Sequence, residues 1–447
     1  MAEAKVEIVS QVTIKPLSPT PNHLKHFQIS LLDEIATPPS FYVPVVLFYS
    51  ASDHDFFKVS QKLKTSLSQI LTLYYPFSGR IKRNKSNLYV DCNDEGVLYL
   101  KARVPSKLSD FLKGNTNEQL NETKGFLPLD PYKPKLDDDD EDRLIMAVQV
   151  TEFCCGGIAI GLCISHKVCD ATSVASFLKA WSQRAMGEAS SSPLNMEASF
   201  LFPPKGVGID INDRVGEKNI TTKRFLFSEN SLCKLKEEIS RSCGFTPTRV
   251  EAVTALIWKS ALEAARNTEP SDKSTSFLLH AVNIRGRMQP SLLENSLGDV
   301  GMRNPFVYAI SPLFEVDKET KMKLQDLVEV VIKTIKMVDG NYVRKLQGDG
   351  QELMETLEPM SHKLVAKKDV PCYSFSSWVR FGFYETSFGW GKPTWVCTIG
   401  VPIKNVIILM PTCSGDGGLE AWITLNELHM CQFETHPLLL QFVSSNP

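Results

Sequence analysis

The sequence predicts an α/β protein of two domains. Three observations lead there. Apolar, β-rich runs alternate with segments whose apolar residues recur every three or four positions. The chain has 447 residues, more than the roughly 250–300 that one hydrophobic core usually serves. Near the middle, residues 187–220 turn irregular, with Gly, Ala, Ser and Pro over 187–193, Pro203-Pro204, and a further irregular run over 206–216. The expected organisation is therefore an N-terminal domain over residues 1–186, a linker over 187–220 and a C-terminal domain over 221–447.

Taken in order, residues 6–14 alternate apolar and polar side chains and read as an edge strand, which the Pro and Ser of residues 16–21 end. Residues 43–49 read as a second strand, with Pro44 tolerable only at its start or on an edge. Phe56, Val59, Leu63, Leu67, Ile70, Leu71 and Tyr74 step as a helix that Pro76 stops. Residues 88–92 and 96–100 read as a hairpin around Asn93-Asp94-Glu95. The six acidic residues 137–142 lack the spaced ligands and central Gly of a calcium loop and read as a solvated, self-repelling segment. Residues 144–150 form another strand, and Cys154-Cys155 read as small strand residues. In the second half, residues 225–227 resume order, and Thr248 to Glu251 fit a capping box before a helix bearing Val250, Val253, Leu256, Ile257 and Leu262. Residues 277–282 form a strand, 324–337 an amphipathic helix, and 406–410 a buried strand.

Bulk composition narrows the function. Hydrophobic residues at 43% and charged residues at 22% describe an ordinary globular protein. A net charge of −2 without a basic stripe argues against a nucleic-acid surface. The N-terminal residues are charged and lack an apolar signal region, and no apolar run approaches the ~20 residues of a membrane helix. Eleven cysteines without Cys-x-x-Cys spacing fit free thiols in a reducing cytoplasm better than disulfides or a metal site.

The chemistry concentrates at residues 157–170. Ile158, Ile160, Leu162 and Ile164 alternate with small residues, a strand with one large face buried. A polar turn holding His166 and Asp170 follows. Ala171, Val174, Phe177, Leu178, Trp181 and Ala185 then mark an amphipathic helix. A histidine at such a turn reaches a cavity while its backbone is held from both sides, and an imidazole of pKa near ~6.5 suits a general base.

His166-x-x-x-Asp170 and the downstream Ser387-Phe388-Gly389-Trp390-Gly391 resemble the plant BAHD acyltransferases, a CoA-dependent family with His-x-x-x-Asp near mid-chain and Asp-Phe-Gly-Trp-Gly towards the C-terminus. Residues 75–80, Tyr-Pro-Phe-Ser-Gly-Arg, and the Asn283-x-Arg285-x-Arg287 segment match two further family segments in order. The resemblance implies a two-domain fold like that of chloramphenicol acetyltransferase. Each domain would be a mixed sheet with flanking helices, an active-site channel would lie at the interface, and a segment near 387–411 would cross back to the N-terminal sheet. It implies an O-acyltransferase whose co-substrate is acetyl-CoA or another acyl-CoA, with no permanently bound cofactor and no metal. The expected partners are that acyl-CoA and a small-molecule alcohol. The protein would act as a monomer, without nucleic acid or membrane.

Within that resemblance His166 is the base, and Trp390 is a candidate oxyanion donor through its indole N–H. Asp170 pairs with Arg285 and points away from the chemistry. Gly79 and Arg80 are structural. Ser387 stands where the family has Asp, so it shapes the loop of Gly389 and Gly391 rather than carrying a proton. Thr248, Arg249 and Ser376 are candidate CoA contacts by position. The look of the chain is nearest the alkaloid and terpenoid acetyltransferases of the family. The alternatives are an N-acyltransferase acting on an amine and a non-catalytic scaffold protein.

Overall fold

A computed structural model describes residues 6–36, 41–51, 55–84, 87–113, 120, 122–132, 143–188, 198–206, 217–268, 273–287, 304–317, 322–347 and 370–444. The acidic run at 137–142 and much of the irregular stretch 187–220 lie outside them.

Two large sheets carry the molecule. The first has the order β1-β6-β8-β9-β3-β15. It comprises β1 (Glu7–Ile14), β3 (Tyr42–Tyr49), β6 (Val97–Val104), β8 (Met146–Phe153), β9 (Ile158–Ser165) and β15 (Trp395–Cys397). The second has the order β10-β17-β16-β14-β11-β12, with β13 also on β11. Its strands are β10 (Ile220–Phe227), β11 (Lys273–Asn283), β12 (Phe306–Ile310), β13 (Phe314–Asp317), β14 (Cys372–Ser377), β16 (Val406–Pro411) and β17 (Leu419–Asn426). A small sheet, β2-β5-β4-β7, joins β2 (His26–Gln28), β4 (Arg80–Asn84), β5 (Asn87–Asp91) and β7 (Arg143–Leu144). Both large sheets mix parallel and antiparallel pairs. The architecture is the expected α/β one. β15 comes from the second half of the chain, yet it pairs antiparallel with β3 in the first sheet.

Helices complete the layers. Helix α1 (Leu31–Ala36) is short and wholly buried. α2 (Phe56–Leu71) and α3 (Ala171–Ala185) pack together on the first sheet. Asp55 caps α2 by accepting from Phe57 N at 2.8 Å. α2 ends at Leu71, earlier than Pro76 requires, and Tyr75–Ser78 forms a 3₁₀ turn instead. α4 (Glu229–Cys243), α5 (Arg249–Thr268) and α6 (Leu324–Met337) gather on the second sheet, where Leu256, Trp258, Leu327 and Val331 form its core with Phe375 and Leu409.

Three local readings need correction. All eight residues of β9 are buried, not one face only. The segment at Thr123–Phe126 covers the other face, so tightly that a Cβ on Gly161 would lie 1.9 Å from Phe126 O. Residues 88–92 and 96–100 are not a hairpin, because β5 belongs to the small sheet and β6 to the first large one. Asp94 (φ 58°) and Gly96 (φ 98°) swing the chain between the two. Asp94 is fixed by Thr20 N and Oγ1 at 2.8 and 2.6 Å, and Gly96 N donates to Ser78 O at 2.9 Å. Arg80 spans the same junction, donating to Gly79 O and Gly96 O at 2.8 and 3.1 Å. Cys154 and Cys155 sit exposed in the turn between β8 and β9 rather than within a strand, where Gly156 takes φ 83°.

Candidate active site

The turn between β9 and α3 is held before its side chains are considered. Ser165 N donates to Ile145 O at 2.7 Å and His166 N to Phe41 O at 2.9 Å, which ties the end of β9 to its neighbours. Asp170 caps α3, accepting from Ser173 N at 2.8 Å. His166 is thereby delivered to a cavity of about 270 Å³ between the two large sheets. Phe41, Tyr132, Phe306, Tyr308, Trp378 and Phe381 are prominent in its wall. One side comes from β3 and the His166 turn, the other from β11, β12, β14 and β16.

The orientation of His166 follows from its partner. Its Nδ1 lies 2.9 Å from Asn304 Oδ1. The amide of Asn304 is not free to turn the other way, because its Nδ2 donates to His166 O at 2.7 Å and to Asp33 Oδ1 at 2.9 Å. A carboxylate oxygen and a carbonyl oxygen only accept. Oδ1 therefore faces the ring, and the Nδ1 it faces must carry the proton. That leaves Nε2 as the unprotonated nitrogen of a ring that lines the cavity. Burial pushes the imidazole pKa below 6.5, against smaller raising effects from its own backbone, Asp170 and Asn304. At neutral pH His166 is a neutral acceptor.

Asp170 is not the partner of His166. Arg285 Nη1 lies 2.7 Å from Asp170 Oδ2, and Nη2 lies 3.0 Å from Oδ1. Arg285 Nη2 also donates to Ser173 Oγ at 2.9 Å. The carboxylate is filled by a guanidinium and a helix cap, and the pair bridges the α3 end of the first sheet to the residues after β11.

Of the remaining sequence candidates, only Ser376 joins His166 in the cavity wall, accepting from Trp378 Nε1 at 3.2 Å. Thr248 and Arg249 are engaged elsewhere. Thr248 and Glu251 form the reciprocal capping box of α5, with Thr248 N donating to Glu251 Oε2 at 2.7 Å and Glu251 N to Thr248 Oγ1 at 3.3 Å. Arg249 donates to Gly417 O. Neither lines the cavity.

Trp390 as an oxyanion donor is also corrected. Its ring packs 6.1 Å from Tyr49 and 5.4 Å from Phe388, under the Lys62 ammonium. Tyr49 ends β3 opposite Ile158, whereas Tyr42 pairs with Ser165 beside the histidine. Seven residues at about 3.3 Å each separate those ends by ~23 Å. Trp390 fills a wedge between β3 and α2 at the far end of the sheet. Ser387 sits in the same loop, accepting a long 3.4 Å bond from Gly389 N. Gly389 (φ 99°) and Gly391 (φ 109°) adopt backbone that side chains disfavour.

Sequence reasoning missed Asn304, Asp33 and the aromatic pair Phe306 and Tyr308. The only local signal at Asn304 is a polar residue before Pro305 at the head of a strand. Among the described residues, no group of His, Cys, Asp and Glu is arranged to hold a metal.

Comparison with known proteins adds an independent line. Residues 4–440 match the Transferase family profile. The chain is 36% identical over 442 residues to stemmadenine O-acetyltransferase of Catharanthus roseus, covering 98% of each. It is 32% identical over 445 residues to a limonoid 21-O-acetyltransferase of Melia azedarach, covering 99% of each. Its structure is similar to the crystal structure of vinorine synthase, with a TM-score of 0.82, 34% identity and 99% of each chain covered. It shares a fold, at 16% identity and a TM-score of 0.70, with TRI101 of F. sporotrichioides, solved with coenzyme A and T-2; 94% of this chain and 99% of that one are covered.

Proposed function

Because the chain belongs to the BAHD acyltransferase family, we propose that it moves acetyl from acetyl-CoA to a hydroxyl of an alkaloid or terpenoid. The observation that carries the mechanism is the ring of His166, held by Asn304 with Nε2 unprotonated and presented to the cavity between the sheets. An alcohol placed there gives its proton to Nε2 as its oxygen attacks the thioester carbonyl. The carbonyl oxygen becomes the tetrahedral oxyanion. Collapse expels the CoA thiolate, which takes the proton back from the imidazolium. The thioester is already activated, so no acyl-enzyme is required.

The aromatic wall of Phe41, Tyr132, Phe306 and Phe381 supports a rigid polycyclic acceptor. The printed activities of the relatives support acetyl as the acyl group. Thr248, Arg249 and Ser376 are the candidates for contact with CoA, and Ser376 has the added support of lying in the cavity wall. We place the division between the domains within residues 187–220, after α3 and before β10, and His166 would then be reached by CoA from one side and the alcohol from the other. No helix among the described residues is long and apolar enough to cross a membrane. Ten described cysteines are free thiols, which supports action in the cytoplasm, and we expect a monomer.

The test is thiol release from acetyl-CoA with a panel of polycyclic alcohols and amines, with products identified by mass spectrometry. His166→Ala should lower turnover by at least about 10²-fold, the usual scale for a lost general base, in a protein of unchanged melting temperature. Near-normal turnover in that folded variant removes His166 from the chemistry. Acetylation of amines alone would assign an N-acyltransferase.

A further inference from the structure

Asn304 serves His166 only while its side-chain oxygen, not its amino group, faces Nδ1. The two ends of an amide are nearly the same size, so packing does not choose between them. Hydrogen bonding does, through two acceptors on Nδ2: the His166 carbonyl at 2.7 Å and, from the side chains, the carboxylate of Asp33. Its Oδ1 accepts from both Asn304 N and Asn304 Nδ2, at 3.0 and 2.9 Å. If the amide were reversed, its oxygen would face that carboxylate, acceptor against acceptor. We propose that Asp33 is a positioning residue that fixes the tautomer of His166 through Asn304.

The surroundings of Asp33 are built for such a role. It is fully buried in α1. Its second oxygen accepts from Ser30 N and Ser30 Oγ at 2.9 and 2.7 Å, so the carboxylate cannot swing away. α1 is itself fixed from three sides. Leu31 N donates to Phe202 O at 2.9 Å, and the Glu34 carboxylate accepts from Lys205 N and Gly206 N at 2.9 and 3.1 Å. Lys167, the residue after the base, donates to the Glu34 and Asp33 carbonyls at 2.6 and 3.3 Å. The histidine turn and the helix that orients its partner are thus tied directly to each other.

The inference rests on reading His166 as the base, and its test separates the two. Full-length protein labelled with ¹⁵N-histidine is compared as wild type, Asp33→Ala and Asp33→Asn, with the His166 ring signals identified by their loss in His166→Gln. Wild type should show the proton on Nδ1. In Asp33→Ala the amide keeps the His166 carbonyl but loses the carboxylate that fixes it, so the Nε2–H form should appear beside the Nδ1–H form and kcat should fall by at least about threefold, since a base in the wrong tautomer cannot accept. KM for acetyl-CoA should stay within about twofold, the pattern of an interaction that acts on the chemical step rather than on binding. Asp33→Asn, the variant least able to disturb the fold, puts a donor against one of two donor pairs; a mixed tautomer and an intermediate loss are expected. In an Asn304→Ala background, adding Asp33→Ala should change kcat less than about twofold, because a residue acting through Asn304 has nothing left to act on. The Nδ1–H form alone in folded Asp33→Ala, wild-type behaviour of Asp33→Asn, or additive losses in the double variant each overturn the proposal. The ring signal requires no turnover, so a wild type inactive with every donor would sink the base reading while leaving the tautomer coupling measurable.

Discussion

Arg285 grips Asp170 with both terminal nitrogens, at 2.7 and 3.0 Å, and the pair is nearly sealed from solvent, with 13% and 8% of the two side chains exposed. A two-pronged ion pair at that depth holds parts rather than exchanging protons. It joins the cap of α3 to the segment after β11, so it fixes the first sheet's histidine turn against the second sheet.

The first prediction follows from that geometry. Asp170→Ala takes the carboxylate from the guanidinium, whose bonds to Ser173 Oγ and Asn283 Oδ1 are to neutral groups. Breaking a buried pair costs ~3–5 kcal/mol, and the lost helix cap adds ~1 kcal/mol. The variant should melt well below the wild type, and Arg285→Leu added to it should recover part of the loss, because the uncompensated charge is gone. Calorimetry or denaturant titration checks both. A variant with the wild-type melting temperature and no turnover would instead put Asp170 in the chemistry.

The second prediction concerns pH. Burial lowers the pKa of His166 beneath 6.5. A lowered pKa keeps the imidazole neutral, and therefore able to accept, through the neutral range. Activity is lost only when acid protonates it. The acid limb of kcat/KM should have its midpoint below 6.5, with a plateau across pH 7. A midpoint above 6.5 would mean that a different group carries the acid limb.

The β9–turn–α3 unit and helices α2, α5 and α6 were legible because their apolar spacing is clean and each helix packs on a single sheet face, whereas α1 and α4 were not read. Sheet partners were not. Nothing local to residues 88–100 reveals that the two strands part company at Asp94 and Gly96; that depends on Thr20 and Ser78, far off in the chain. The same limit hid Asn304, which lies 138 residues from the histidine it orients. Trp390 shows the converse. Its motif was readable as a sequence, but its distance from His166 depends on where β15 docks against β3.

That correction yields the third prediction. Losing an oxyanion donor costs about 10²–10³ in kcat. Trp390→Phe keeps an aromatic ring against Phe388 and Tyr49 while removing the indole N–H and part of the bicyclic ring; the lost packing should lower the melting temperature, and kcat should change much less than tenfold. A loss on the oxyanion scale, in a variant still folded at the assay temperature, would return Trp390 to the reaction.

Lys167 supplies the fourth. Burial pushes its ammonium pKa down to about 8 from 10.5, despite the nearby Asp33 and Glu34. Between those values the unfolded chain holds a proton that the folded protein has released. Stability from this group therefore rises with pH across about pH 8 to 10.5, by at most ~1.4 kcal/mol per unit. Denaturant titrations of wild type and Lys167→Met at pH 7.5 and 9.5 isolate it, since the other lysines titrate alike in both proteins. The difference should move in favour of the wild type at the higher pH. A flat or opposite trend would show that the amine is charged throughout.

Ser387, where the family carries Asp, gives the last. The loop it opens is shaped by Gly389 and Gly391, both at positive φ, and leaves through the buried Pro393. The serine hydroxyl makes only a 3.4 Å bond to Gly389 N. An aspartate there would accept the same N–H more strongly. A cation is close by, because Lys62 Nζ donates to the carbonyl of Phe388, the next residue, at 2.9 Å. The new carboxylate would therefore not be stranded as an unpaired charge. Its gain is limited to the ~0–1 kcal/mol of a pair that water still reaches. None of these contacts approaches the cavity of His166, since Phe388 packs on Trp181 and Tyr49 at the opposite end of β3. Ser387→Asp should thus melt at or slightly above the wild type, Ser387→Ala at or slightly below it, and both should turn over at nearly the wild-type rate. Side-by-side turnover and melting curves decide the point. A tenfold or larger gain in turnover from Ser387→Asp, without a matching gain in stability, would mean that the aspartate of this loop serves the reaction and that its replacement by serine has cost this protein activity.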